Sequence, residues 1–534
     1  MVGALRLAAL ILLGALLVLL ALVDLAGQVP GNADDAFILL VYARHFAESG
    51  SLYYNAAEGA LDGFSSLLDV IVKGLTIRLS AGDPIAANFW VSTGALAMTV
   101  AAGVLLASRI AGQRAWLVGL GALSLTLAPG LAEGTSYMLE TSLFSLLLIG
   151  ALACCVSERA SMGPLLALAL GLVLVRPEGT PIALLLVTVA ALDRGASSRA
   201  GGLWIAAGFA LLVGLYYAWR IWLFGHWAPN SYYAKTSASR SNELQDGWSY
   251  IVAHGGTLAG AVLTAAVVFA PLVLLCKGWS KPYARRRYAL FSGSASLTLL
   301  GLLFSGGDCY AGARFLMPSL MIGIVALLFA SANLQGATRG LLTGILVLAS
   351  GAGLRSALQD AGPKLASLGH GAVTRSHFAC SDQISARLAA ASAGARVAQI
   401  HFQRYKYFED QAQVFDLTGI NQRDVAHLPV EGPVTFGKDG LDLALAEQVE
   451  VLHLDYRWTH ASPMVRHTTA ALLASPQLRE RFAVLVNDEQ AALLEASYLT
   501  ASLVGVCGSQ CLNVFVRPEW TDSFRNAGFL VQGD

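Results

Sequence analysis

Charge is what this sequence has least of. Only 13% of its 534 residues are Asp, Glu, Lys or Arg, against 55% hydrophobic residues, where a soluble domain carries about a quarter charged residues. The 35 acidic and 35 basic residues cancel, so no excess of one sign points to nucleic acid or another polyanionic partner. Cysteine is scarce too, seven in all. Cys154 and Cys155 lie in an apolar run where a framework disulfide has no place. Cys507 and Cys511 are close enough to pair in an oxidising compartment, and read equally well as two thiols. Also missing are a short-period repeat, a low-complexity tract, a Gly-rich phosphate loop or nucleotide fingerprint, and zinc spacing among the ten histidines.

Apolar runs fill the space that charge leaves, and mean hydropathy is +0.59. Runs long enough for the roughly 18–20 residues that cross a bilayer recur through the first two thirds of the chain. The first, Leu7–Ala26, has a longer apolar core than a signal peptide and no convincing small-residue cleavage site, so an uncleaved span is expected. Candidate spans cover roughly 5–26, 84–108, 115–131, 138–157, 164–176, 180–192, 202–224, 251–276, 288–304, 314–332 and 338–355. The short runs 164–176 and 180–192 are separated by Arg176-Pro177-Glu178-Gly179, which breaks a helix and suggests a re-entrant pair or two tilted short helices.

Basic residues set the expected orientation. Arg6, Arg109 and Arg114, Arg159, Arg194 and Arg199, Lys277 to Arg287, and Arg339 fall in alternate short loops, which the positive-inside rule places in the cytoplasm. The opposite loops then face outward: Asp34-Asp35, Tyr137–Glu140, Arg176–Glu178, Pro229–Lys235 and Gly306–Arg314. Most of the chemically versatile residues collect there, so an active site is expected at the outer face. Trp219, Trp222 and Trp227 sit at the outer end of one span, where an aromatic belt accounts for them best and sugar stacking is open only to Trp227.

Composition changes after about residue 356. Charge rises, and short β-like runs appear at Arg396–His401, Val449–Leu454, Phe482–Val486 and Leu512–Val516, with helical stretches such as Leu441–Glu447 and Asp488–Ala496 between them. The expected architecture is a polytopic α-helical membrane domain over 1–355, with an outer-face loop and interfacial helices over 27–83. An extracytoplasmic soluble α/β domain follows over 356–534.

Asp34 and Asp35 are the first chemical candidates, because a carboxylate near a bilayer needs water or a partner. Helix N-capping explains one of them and explains both less well. The segment Phe37–Ala47 has helical spacing and is expected to lie along the membrane surface. Arg176 and Glu178 invite pairing at the broken helix, Lys235 suits headgroup water, and Asp308 either caps a helix or positions Arg314. His453, on an expected strand, reads better as a surface residue than as a ligand.

Several segments resemble one family in order. Asp34, Asp35, Ala36, Phe37, Ile38, Tyr42, Ala43, Arg44, Leu52, Tyr54, Asn55, Glu58, Gly63 and Ser66 match the loop pattern of membrane glycosyltransferases of the C-type (GT-C) superfamily, especially mycobacterial-type terminal arabinofuranosyltransferases (AftB-like). Further on, Val175–Gly179 looks like L-R-P-E-G, and Pro229-Asn230-Ser231-Tyr232-Tyr233-Ala234-Lys235 like P-N-T-F-Y-A-K. Gly306-Gly307-Asp308 with Arg314-Phe315-Leu316 and Pro318 resembles G-G-D-W-M-x-x-Y-R-F-L-x-P, and 416–427 resembles D-x-x-G-L-x-D-x-x-I-A. Departures fall at Val41 (usually arginine), Asp69 (usually tryptophan), Cys309, Ala313 and Gln422.

The resemblance implies a GT-C fold of about eleven spans in a bacterial inner membrane and a polyprenyl-phosphate sugar donor, arabinofuranose favoured. The acceptor would be a cell-envelope glycan. Asp34, with Asp35 as second choice, would be the base, inverting the anomeric carbon, and Arg314, Arg176, Lys235, Tyr232, Tyr233, Asn230, Asp308, Glu178, Arg44 and Tyr54 would bind substrate. The absence of a nucleotide fingerprint agrees with a lipid-linked donor. No cofactor is implied with certainty, and Asp34, Asp35 and Asp308 could together hold a divalent cation, a point the sequence does not decide. Two alternatives stand beside this: another pentose or hexose transferred to lipopolysaccharide or protein, and a non-catalytic polyprenyl-glycan transporter or assembly factor. A transporter would carry charges deep in its spans and duplicated halves, which the sequence does not show.

Overall fold

Long stretches without charge or water-facing stripes can satisfy their backbone in lipid only as helices, and helices occupy all eleven candidate spans. The computed structural model describes residues 2–26, 35–156, 161–193, 199–235, 240–307, 313–369, 385–400, 403–410, 412–428, 440–454, 483–484, 501–502 and 511–527. In order come α1 (Val2–Ala26), α2 (Asp35–Ser49), α3 (Leu67–Leu79), α4 (Pro84–Ala111), α5 (Ala115–Thr126), α6 (Leu131–Ser136), α7 (Thr141–Cys155) and α8 (Met162–Val175). Then follow α9 (Gly179–Leu192), α10 (Arg199–Phe224), α11 (Asn230–Lys235), α12 (Arg240–Leu263), α13 (Ala270–Leu275), α14 (Pro282–Ser305), α15 (Met317–Asn333) and α16 (Ala337–Gly369). Among the described residues, α1, α4, α10, α14 and α16 contain apolar stretches long enough to cross a membrane unaided, and α5, α7, α8, α9 and α15 are shorter apolar helices packed among them. The protein is a polytopic helical membrane protein with a small C-terminal α/β region.

Local chemistry sets the helix ends. Asp83 accepts a hydrogen bond from the Ile85 N–H at 2.9 Å, and Pro84 opens α4. Ser66 caps α3 through the Asp69 N–H at 3.2 Å. α12 is kinked at non-helical Gly256, and a π-helical turn at Thr264–Val268 separates it from α13. The break between α8 and α9 falls at Arg176-Pro177-Glu178-Gly179 as expected, and the two short helices pack on each other. A Cβ on Gly179 would lie 2.0 Å from the Leu172 carbonyl oxygen, so only glycine lets the chain turn back this closely.

The basic loops meet at one end of the bundle. Arg6 donates to the Gly112 carbonyl at 2.8 Å and Arg114 to that of Ala332 at 2.7 Å. Asp193 pairs with Arg287 at 3.1 Å and Arg286 at 3.6 Å. Glu140, Arg176 and Arg314 lie at the opposite ends of α7, α8 and α15, and Lys235 lies on the short α11 that follows the far end of α10.

α2 differs from its expectation. It is not a surface helix, because Ala36 to Ala43 and His45 are all buried. Its first turns hold Phe37, Ile38, Leu39, Leu40 and Val41 in succession, leaving no polar stripe for water. α3 covers one side and the helix Gln403–Phe408 of the C-terminal region another. A second hydrophobic core forms here from α2, the loop to α3, Tyr137–Leu139, Phe224, Ala234 and apolar residues of the C-terminal region.

That region contains a six-stranded sheet of order β2-β1-β3-β6-β4, with β5 beside β6. Its strands are β1 (Arg396–Ile400), β2 (Gln413–Asp416), β3 (Val451–Leu454), β4 (Ala483–Val484), β5 (Ala501–Ser502) and β6 (Cys511–Val516). β1 is parallel to β2 and β3, and β6 is antiparallel to β3, β4 and β5. Sequence periodicity locates β1, β3, β4 and β6 and misses the short β2 and β5. α16 continues past the expected boundary near 356 to Gly369. The expected helix at 488–496 and a Cys507–Cys511 bridge lie outside the described residues.

Candidate active site

Asp35 opens α2, where the helix dipole favours a carboxylate. Its Oδ2 lies 3.7 Å from Nζ of Lys235, the last residue of α11, and both side chains keep some contact with solvent. Asp34 and Asp308 lie outside the described residues. α11 begins at Asn230, straight after Pro229, and its short length brings Tyr232, Tyr233 and Lys235 within one and a half turns of one another.

A second charged group lies at the α6–α7, α8–α9 and α14–α15 connections. The Arg176 guanidinium donates from Nη1 to Glu140 at 3.0 Å and from Nη2 to Glu178 at 2.9 Å, and its carbon sits 4.5 Å from the Phe315 ring centre. Burial raises the Glu178 carboxyl, but the charge and hydrogen bond of Arg176, with Arg314 adding to them, overcome it and hold the group below its usual range. Arg314 itself is buried and lies over the Phe315 ring at 5.0 Å. The third pair, Asp69 and Lys73, is buried one turn apart on α3 and joined by a short hydrogen bond. Burial and the nearby Glu140 raise the Asp69 carboxyl, while Lys73 pulls it down.

Backbone detail holds this group in place. Met138, two residues before Glu140, is buried with φ 52, a left-handed conformation that costs on the order of 1–3 kcal/mol for a residue with a Cβ. Gly307 ends the approach to the α14–α15 loop with φ +86, and a Cβ there would fall 2.7 Å from the Tyr250 side chain. The Phe315 N–H in turn donates to the Tyr250 hydroxyl at 3.4 Å.

Several expected ligand contacts are spent on the scaffold. The Asn230 amide donates to the Gly419 and Ile420 carbonyls at 2.8 and 2.9 Å, and its N–H to Asp62 at 3.2 Å. Arg44 pairs with Asp410 at 2.6 Å and donates to the Tyr407 carbonyl at 2.6 Å. Tyr54, fully buried, donates to Gln403. These three residues tie the loop and α11 to the C-terminal region. Tyr232 is exposed, and Tyr233 is partly buried against His226 and His427.

Asp62 and Arg220, 158 residues apart, form a buried ion pair at the inner edge of the same junction. Burial pushes the Asp62 carboxyl up, to about 7, against the pull of Arg220 and the Asn230 N–H. Sequence reasoning did not assign Asp62, Arg220, Glu140 or Lys73 to the site. Only Asp69 and Lys73 offered a local signal, their spacing of four on a helix. Among the described residues no three His, Cys, Asp or Glu side chains converge as a metal site.

No protein-family model and no curated protein matches this chain. Solved structures give likenesses of shape. ArnT from Cupriavidus metallidurans in the apo state superposes with TM-score 0.47 and 14% identity over 96% of this chain and 98% of that one. The same protein bound to undecaprenyl phosphate gives 0.39, at 14% identity, over 95% and 98%. The Archaeoglobus fulgidus oligosaccharyltransferase in complex with Zn and sulfate gives 0.43, at 12% identity, over 88% of this chain and 71% of that one. At such scores and identities no residue role or ligand passes from these proteins to this chain.

Proposed function

We propose that this chain is a membrane glycosyltransferase of GT-C type that moves a sugar from a polyprenyl-phosphate donor to a cell-envelope glycan or glycoconjugate. One observation carries the proposal. Segments from five parts of the chain bring Asp35, Glu140, Arg176, Lys235 and Arg314 to one end of the helical bundle, opposite the basic loops. With the basic end in the cytoplasm, the site faces the outer leaflet of a bacterial inner membrane. A lipid-linked donor would reach it sideways from the bilayer.

The acceptor hydroxyl gives its proton to the carboxylate of Asp34 or Asp35 as its oxygen attacks the anomeric carbon. The bond from that carbon to the phosphate oxygen breaks with its electron pair left on oxygen, and polyprenyl phosphate departs with inversion at the sugar. Arg314 and Lys235 supply the cationic groups for the developing phosphate charge, Arg314 by its two-pronged geometry. Arg176, held by two carboxylates, is better suited to fixing Glu178 and Phe315 than to gripping a ligand. Arabinofuranose is the favoured sugar because the Asp34–Ser66 and Pro229–Lys235 segments resemble arabinofuranosyltransferases. A divalent cation on the carboxylates is optional, so transfer is expected to survive EDTA.

The test is transfer by purified protein from synthetic polyprenyl-phosphate arabinofuranose, with hexose and aminoarabinose donors in parallel. Asp34→Asn and Asp35→Asn should both remain folded, and at least one should lose about a hundredfold or more in rate. Full activity in both overturns the base assignment. No transfer from any of these donors overturns the enzyme.

A further inference from the structure

Five aromatic rings form a continuous ledge between the end of α10, α11 and the C-terminal region. The Trp227 ring centre lies 5.8 Å from that of Tyr232, Tyr232 lies 5.6 Å from Tyr233, and Tyr233 lies 4.7 Å from His427. His226 closes the far end, 5.3 Å from Tyr233 and 4.6 Å from His427. Trp227 is 58% exposed and Tyr232 40%. The ledge ends at the candidate base, because Lys235, one turn beyond Tyr232 on α11, carries the ion pair to Asp35.

We propose that this ledge binds the acceptor, a neutral glycan chain of at least two sugar residues lying along the rings with its terminal hydroxyl directed towards Asp35. An aromatic belt at a bilayer surface is the competing account. Trp204 and Trp222 fit that account, since both are exposed on the spanning helix α10. The ledge does not, because His427 follows the helix Arg423–Ala426 of the C-terminal α/β region and stacks with residues of the membrane domain. A surface built partly from that region faces water.

Its chemistry suits a sugar. The C–H face of a sugar ring is weakly positive and apolar and stacks on the negative face of an aromatic ring, while its hydroxyl rim needs donors and acceptors at the edges. The exposed Tyr232 hydroxyl and the His226 ring nitrogens offer both. Burial and the neighbouring His427 and Arg423 lower the His226 pKa, which favours a neutral imidazole able to donate and accept.

This inference rests on the sugar-transfer proposal only in naming the ledge's occupant as the acceptor, and the experiment separates the two. The full chain in nanodiscs is titrated with a linear arabinofuranose hexasaccharide and with maltohexaose, and separately with undecaprenyl phosphate. At least one hexasaccharide should bind, and Trp227→Ala and Tyr232→Ala should each weaken it about tenfold, while Trp227→Ala keeps lipid phosphate binding within twofold. The inference is overturned if neither hexasaccharide binds at millimolar concentration, or if both variants bind like the parent. Hexasaccharide binding lost on Trp227→Ala in a protein that transfers no sugar keeps the ledge as a glycan site and removes only the transferase.

Discussion

At the scale of single residues, Arg176 shows how a buried cation can be both costly and useful. Its guanidinium lies among α7, α8 and α15, where an unpaired charge would lose several kcal/mol of hydration, and Glu140 with Glu178 restores most of that. Replacing Glu140 with Gln leaves Arg176 held by Glu178 alone. The expected loss is about 1.5–3 kcal/mol, the worth of a hydrogen bond to a charged group, read as a lowered Tm in detergent. Glu178→Gln, at a more exposed carboxylate, should cost less. The reverse order would mean that Glu178, not Glu140, anchors the guanidinium. The Arg176–Glu178 half of this group was visible in the sequence, because two residues flanking a Pro at a helix break face each other. Glu140, 36 positions away, was not, and neither was Arg220 as the partner of Asp62. No local pattern reports contacts that only tertiary packing creates.

At the scale of elements, the α8–α9 hairpin carries the site's arginine and depends on one close approach. Gly179→Ala places a methyl group against the Leu172 carbonyl, so the hairpin must open and take Arg176 with it. Overpacking of this kind costs about 1–3 kcal/mol, and transfer should fall with stability. Gly163, in the first turn of α8, has nothing within 4 Å of an added Cβ, and Gly163→Ala should be neutral or stabilising by up to about 1 kcal/mol. Equal Tm losses in the two variants would show that helix propensity, not the Leu172 contact, decides. Elements are the most legible level of the sequence: among the described residues, helices occupy all eleven candidate spans, five of them long and apolar enough to cross a membrane, and four of the six strands lie where period and run length put them. α2 was misjudged for a physical reason. Helical spacing was correctly seen in Phe37–Ala47, but an unbroken apolar run at its start marks a helix buried on every side, and what covers it comes from residues 403–408, more than 350 positions on.

For the whole molecule, the question is what keeps the C-terminal region seated on the membrane domain. Beside the shared apolar core, polar and reciprocal contacts hold it. Asn55 donates to the Val414 carbonyl at 2.8 Å and accepts from its N–H at 3.1 Å, completing β2 as a neighbouring strand would. Asn230 binds the 419–420 turn, and Arg423 donates to the Phe224 carbonyl at 3.1 Å. Asp410 anchors the other side, accepting from Arg44 at 2.6 Å and meeting His45 Nε2 at 2.7 Å. The hydrogen bond from His45, then the charge of Arg44, outweigh burial and hold the Asp410 carboxyl at about 2. An acid whose folded pKa lies below its unfolded value adds stability above the unfolded value near 3.9 and loses it as pH falls towards 2.

Glu58, beside Asn55, behaves oppositely: burial raises it to about 7, so its contribution weakens as pH rises from about 4 to 7. The seat is therefore expected to be tighter at pH 5 than at pH 7, and to loosen as pH falls from about 4 towards 2. After discounting for solvent at a carboxylate that is 31% exposed, the Asp410 share is about 1–2 kcal/mol. Amide hydrogen exchange over 403–428 at pH 7, 5 and 3 measures this directly. Asp410→Asn should raise exchange at pH 5 and 7 and abolish the further rise at pH 3, while Glu58→Gln should reduce the difference between pH 5 and 7, Asp62 supplying the remainder. If the acid limb survives Asp410→Asn unchanged, some other carboxylate holds the two parts together, and the path by which the C-terminal region positions the α11 ledge must run through Asn230 and Arg423 instead.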